Sequence, residues 1–238
     1  MPTNQTRLKN CIQKQFATLN INVHKFNYAN IALIIIASII SSIALLTDNY
    51  QSVIASKIIG LAIIPFISLC IMIIAGSSTD IIQSSTRCII FMGLCLAVSG
   101  IIGFANKMTH WREEPTNEML SRAHFKFENI WLELVMSAVA GVGIYFAIMK
   151  TSTIALIGLI LAISIVPPLC NAGLFWGMHL YNLLGQFWND ERENANKFEN
   201  SKINNYLEYG KNSFVIFVSN ITGMFFGFMM SFAASCVF

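Results

Sequence analysis

Six residues of the chain have types and settings that could do chemistry. Lys57, in Ala55-Ser56-Lys57-Ile58-Ile59-Gly60, and Glu133, in Ile130-Trp131-Leu132-Glu133-Leu134, are charges at the mouths of long apolar stretches. A lysine so placed either snorkels its ammonium to lipid headgroups or faces an anion inside the protein, with Asp80 and Glu133 as the available partners. A carboxylate in the first turn of a helix is favoured by the helix dipole, so Glu133 reads as structural or functional alike. Pro65 and the pair Pro167-Pro168 lie in the middle of apolar runs. Proline removes a backbone donor, clashes with the carbonyl four residues back and pushes the residue before it out of the helical region. The helix should therefore break at Ile165 or Val166, beside the polar Asn171 and the flexible Gly173. Backbone freed inside a bilayer persists only where it is buried in protein or lines a wet cavity. Lys57, Pro65, Glu133, Pro167, Pro168 and Asn171 thus form a candidate pathway; the plain alternative is a pair of proline kinks with packing value only.

Other chemistry finds no support. There is no phosphate loop, dinucleotide fingerprint, zinc-protease motif or nucleophile elbow. The four histidines have no metal-ligand spacing, and the six cysteines (Cys11, Cys70, Cys88, Cys95, Cys170 and Cys236) are scattered, without a Cys-x-x-Cys pair. They read as small, polarizable packing residues. No enzyme activity, metal or cofactor is expected. A net charge of +3 with no basic stripe excludes nucleic acid as a partner.

The elements that must position these residues follow from composition. Only 11% of the 238 residues are charged, against about 25% in soluble domains, and 55% are hydrophobic. Mean hydropathy is +0.61. Charges are absent from Phe26–Thr47, Ile58–Thr79, Cys88–Asn106, Leu134–Met149, Thr151–Asn189 and Asn212–Phe238. A spanning helix needs about 20 apolar residues. The expected fold is an all-α, polytopic transmembrane bundle of about six segments: Tyr28–Leu46, Val53–Gly76, Cys88–Ala105, Ile130–Met149, Ile154–Met178 and Phe214–Val237. Unbroken runs speak against a β-barrel, whose strands alternate.

Spacing repeats along the chain. A shift of 102 residues lays Pro65 on Pro167, Ile59–Pro65 on Leu161–Pro167, and the short link Thr47–Ser52 on Met149–Ile154. The organisation read from this is a polar, weakly amphipathic segment 1–27, with Leu8, Ile12, Phe16 and Leu19 on one face. A first three-helix repeat (28–105), an extramembrane linker (106–129) and a second repeat (130–238) follow, the last with a polar insertion (179–213). Each second helix is broken by proline. An odd number of spans per half inverts one half relative to the other, the design of many secondary transporters. If Val53–Gly76 and Ile154–Met178 instead dip in and return, the repeats are parallel.

Small residues mark close helix approach: Gly93, Ala97 and Gly100; Ser137 and Gly141; and Gly223 with Gly227. Packing within the chain is the first reading of Gly93, Gly141, Gly223 and Gly227, a subunit interface the second. Asn220, in the last run, could hydrogen-bond across helices. Segment Asp190–Ser213 reads as a solvated helix or hairpin. Basic residues fall on both sides of the expected spans, and the amino-terminal cluster Arg7, Lys9, Lys14 and Lys25 places the termini in the cytoplasm.

The stretch Ala155–Leu174, with Ile163-Ser164-Ile165-Val166-Pro167-Pro168-Leu169 at its centre, resembles the hallmark of the uncharacterised hydrophobic domain family, domain of unknown function 389. Glu118-Met119-Leu120-Ser121-Arg122 with Trp131–Leu134 resembles that family's entry to its second half. Val53–Pro65 is similar to its first-half motif, and Ala75-Gly76 with Asp80 to its Gly-Asp element. Lys57, Leu61 and Asn171 depart from the family pattern. The resemblance implies a prokaryotic polytopic membrane fold and carries no activity with it. The expected function is a transporter or channel for a small solute or ion in an inner-membrane-type bilayer, as a homo-oligomer. The alternative is a non-transporting structural protein forming an oligomer or array.

Overall fold

A computed structural model describes residues 28–59, 63–75, 78–112, 114–123, 127–149, 165–188 and 196–237. Among these residues are eight helices and no strand: α1 (Tyr28–Leu46), α2 (Tyr50–Ile59), α3 (Ile63–Ala75), α4 (Ser78–Met108), α5 (Asn117–Ser121), α6 (Phe127–Met149), α7 (Val166–Trp188) and α8 (Asn196–Val237). Four stretches are long and apolar enough to cross a membrane: Tyr28–Leu46, Ile81–Met108, Ile130–Met149 and Asn205–Ser235. Large apolar side chains point outward from them, among them Trp131, Leu132, Val135, Met136 and Val139 on α6. Contiguous exposed apolar surface on this scale suits lipid and not water.

Proline sets two helix starts. Pro65 is the third residue of α3, and Pro167 and Pro168 are the second and third of α7, with Ile165 outside helical geometry. The first-turn amides have no intrahelical partner, so a proline there costs no hydrogen bond. The expected break at Ile165 or Val166 is therefore a helix beginning. The matching stretch 151–164, and with it most of the expected fifth segment ahead of Pro167, lies outside the described residues, as does segment 1–27.

Three boundaries differ from the sequence reading. Helix α4 begins at Ser78, ten residues before Cys88, so Asp80 falls in its first turn and Arg87 in its body. Helix α6 begins at Phe127, which moves Glu133 out of the first turn into the second. The last helix begins at Asn196 and not at Phe214. Its polar amino-terminal half continues the helix because one face, Tyr206, Gly210 and Ser213, is buried, against α7. At about 1.5 Å per residue, this 42-residue helix is about twice as long as a bilayer's hydrocarbon core is thick.

Contacts fix helix directions. Phe66 meets Phe91 and Ser68 meets Ser84, so α3 and α4 are antiparallel. Asn171 meets Ser213 and Phe175 meets Tyr209, so α7 and α8 are antiparallel. Gly173 lies against Leu96 and Ser99, and Tyr181 against Phe104, so α4 and α7 run parallel. Likewise α6 and α8 run parallel, with Ser137 beside Gly223 and Tyr145 beside Phe228 and Phe232. It follows that α3 opposes α7 and α4 opposes α8.

Glycine permits both parallel contacts. A side-chain carbon on Gly177 would collide with the carbonyl of Gly100, and one on Gly227 with that of Ala138. Gly141 and Gly223 lie in the same α6–α8 contact, against Met224 and Ser137. Gly93 does not belong with them. It is exposed, with open space where a side chain would stand, because the face of α4 that meets α7 carries Gly100 and Gly103 instead.

Candidate functional site

The first turns of α7 lie at the centre of the described bundle. Pro167 and Pro168 are buried, Leu169 and Cys170 are wholly so, and Asn171 has no accessible surface. Asn171 Nδ2 donates to the Met119 carbonyl (2.9 Å) and to Ser213 Oγ (2.9 Å). Its Oδ1 is buried without a hydrogen-bond partner. An unmade buried hydrogen bond costs about 1–3 kcal/mol, and a carboxamide oxygen can accept from a donor or ligate a cation.

Around Asn171 the segment 114–123 is drawn into the bundle. Thr116 caps α5 by accepting from the Met119 amide, and its own hydroxyl donates to the Leu45 carbonyl at the end of α1. Asp48, at φ 59° in the turn after α1, accepts from the Glu118 amide at 2.8 Å. Aspartate tolerates this left-handed backbone better than most residues. The carbonyls at the far end of the segment are also taken. Asn212 Nδ2 donates to Ala123 O (3.0 Å), and Ser213 Oγ bridges the carbonyls of Tyr209 (2.9 Å) and Arg122 (3.1 Å). Met119 and Ala123 are fully buried. This stretch, part of the expected extramembrane linker 106–129, packs onto α1, α7 and α8, where its apolar side chains and three carbonyls find partners.

The two charges singled out from the sequence come within electrostatic reach of each other. Lys57, half-buried, feels Arg122, Glu133 and Glu118. Arg122 Nη2 pairs with Glu118 Oε2 at 3.1 Å. Glu133 is exposed on α6. The charges thus gather beside the 114–123 segment. Pro65, in α3, is half-buried, and α3 and α7 both pack on α4.

Several polar residues in the bundle escaped the sequence reading. Arg87, one residue before the uncharged run Cys88–Asn106, is 8% exposed within α4, and cations so buried among apolar helices are rare. Ser68 and Ser84 share a buried hydrogen bond at 3.1 Å. Ser38, Ser41 and Ser42 of α1 have no or almost no exposure. Serine's small size leaves hydropathy intact, so such residues carry no signal in a hydropathy scan. Asn220 is buried, as its position in the last run suggested. Among the described residues no three His, Cys, Asp or Glu side chains cluster as a metal site.

All-helical architecture, four potential spans and outward-facing apolar side chains are the features of an integral membrane protein. The profile of the family described as "Domain of unknown function (DUF389)" matches residues 58–226, and the chain belongs to that family. The match runs from just after Lys57 to Phe226, in the last third of α8. No curated protein and no solved structure matches the chain.

Proposed function

We propose that the chain is a transporter or channel for a small solute or ion, with its pathway past the proline-begun starts of α3 and α7. The observation that carries this reading is Asn171 Oδ1, buried and unpartnered three residues beyond Pro168. Helix directions support an inverted pair of repeats behind it: α3 against α7, and α4 against α8, are corresponding elements pointing opposite ways. That geometry lets one half rock against the other around a central site. No catalytic chemistry belongs to this reading. It places the chain in an inner-membrane-type bilayer with both termini in the cytoplasm, as a homo-oligomer.

Single cysteines at Ser68, Ser164 and Asn171, in a protein otherwise free of cysteine, test the pathway with a membrane-impermeant thiol reagent applied from each side. Labelling that a candidate ion or solute blocks supports transport. Absence of labelling at all three positions retires it.

A second reading, a non-transporting structural protein that assembles in the membrane, draws on one observation. Gly93 faces outward with open space around it, which suits close approach of a second copy. Substituting leucine at Gly93 would then break the oligomer and leave the monomer folded.

A further inference from the structure

Three helices bring five soft or hydroxylic side chains to one point. Cys95 of α4 and Cys170 of α7 are neighbours at one level of the parallel contact in which Gly173 lies against Leu96 and Ser99. From α1, Ser38, Ser41 and Ser42 share one helical face at spacings of three and four residues. Ser38 Oγ donates to the Ile34 carbonyl (2.7 Å) and stands 3.2 Å from Cys95 Sγ. Ser41 and Ser42 sit beside Cys170, yet neither hydroxyl has a hydrogen-bond partner of normal geometry. Four of the five residues have no accessible surface, and Cys95 has 1%.

A serine in a helix ordinarily satisfies its hydroxyl on the carbonyl one turn back, as Ser38 does. Two adjacent serines that leave this undone, inside an apolar core, stand at a cost that alanine would avoid. Their setting becomes favourable once a neighbouring sulfur carries negative charge, because both hydroxyls can then donate to it.

We propose that Cys95 and Cys170, ringed by Ser38, Ser41 and Ser42, form a binding site for one soft monovalent cation of the copper(I) or silver(I) kind. Thiolate sulfur selects soft metals. Two sulfurs without a carboxylate or imidazole beside them suit a cation content with two ligands, and serve poorly a zinc ion that takes four. On binding, one thiol gives its proton to solvent and its sulfur lone pair to the metal. The metal's oxidation state is unchanged, and cation plus thiolate leaves the site neutral, as a membrane interior requires. The site lies at the start of α7, so its use in transport rests on the pathway proposed above, whereas binding does not.

The test uses the full chain in detergent with Cys11, Cys70, Cys88 and Cys236 replaced by serine, titrated anaerobically with copper(I) against a chromogenic chelator. One copper per chain is expected, lost in C95S and in C170S, and weakened about 10–100-fold when Ser41 and Ser42 both become alanine, the usual effect of removing groups that support metal ligands. Absence of binding, or binding that survives C170S, overturns the proposal. Should the single variants fail to fold, X-ray absorption of the copper-loaded parent decides: two sulfur neighbours support the site, and none refutes it. Liposome uptake separates the two readings. Copper bound but not moved leaves the site standing and removes its use in transport; no copper bound, with N171C labelled by the thiol reagent, removes the site and leaves the pathway.

Discussion

Asn171 reaches back 52 residues along the chain to hold the carbonyl of Met119 at 2.9 Å, and the same amide nitrogen grips Ser213 Oγ of α8. One buried side chain at the start of α7 thereby ties together the 114–123 segment and α8, the longest of the described helices. Replacing it with leucine keeps much of the volume and removes both donations, leaving the Met119 carbonyl short of a partner. The expected loss is about 1–3 kcal/mol. Proteolysis between 107 and 126 should quicken in parallel. Unchanged denaturation and unchanged cleavage would show that the segment is held by other contacts.

The glycine contacts divide into required and dispensable. Leucine at Gly227 must force α6 and α8 apart, because Ala138 backbone occupies the space; overpacking of this kind costs about 1–3 kcal/mol. Leucine at Gly93 enters open space and should change monomer stability by no more than about 0.5 kcal/mol. Thermal unfolding in detergent, at a concentration that keeps the chain monomeric, compares the two. Equal effects would contradict the packing described for α6 and α8.

Proline placement predicts a similar asymmetry. Alanine at Pro168, in the first turn of α7, should be tolerated within about 1 kcal/mol, since no hydrogen bond depends on that position. Proline at Leu174, two turns further on and fully buried, should cost about 3 kcal/mol or more. If P168A proved the more damaging of the two, the prolines would be doing something other than starting a helix.

Lys57 and Glu133 form the pair to examine by a double-mutant cycle, with K57M and E133Q as the single changes. Lys57 feels Glu133, Glu118 and Arg122 at once, so the single variants mix several effects and only the cycle isolates the pair. A coupling of about 0.2–1 kcal/mol is expected for charges with this much exposure, shrinking as salt rises. A coupling of zero at low salt would mean that Glu133 does not act on Lys57.

How much of this was legible beforehand varies by segment, for a physical reason. The bounds of α1, Tyr28–Leu46, coincide with those read from hydropathy, and the start of α7 falls where Pro167-Pro168 placed the break. Both are local properties: transfer free energy adds residue by residue, and a proline restricts its own neighbourhood. The sequence reads Asp190–Ser213 as a solvated helix or hairpin apart from the run Phe214–Val237, whereas one helix runs unbroken from Asn196 to Val237. A polar segment stays helical when one narrow face is buried, and that face, Tyr206, Gly210 and Ser213, is defined by the chain-distant elements it meets, α7, Lys107 of α4 and the 114–123 segment. Gly93 and Gly141 look alike in sequence, yet one meets open space and the other a backbone, because helix rotation is set by neighbours. Membrane class, family and the proline-marked helix starts were thus written in the sequence. The capture of Met119 by Asn171, the burial of Arg87 and the meeting of Cys95 with Cys170 were not. They depend on residues brought together from distant parts of the chain, and chain-distant contacts are chosen by packing, which no local pattern encodes.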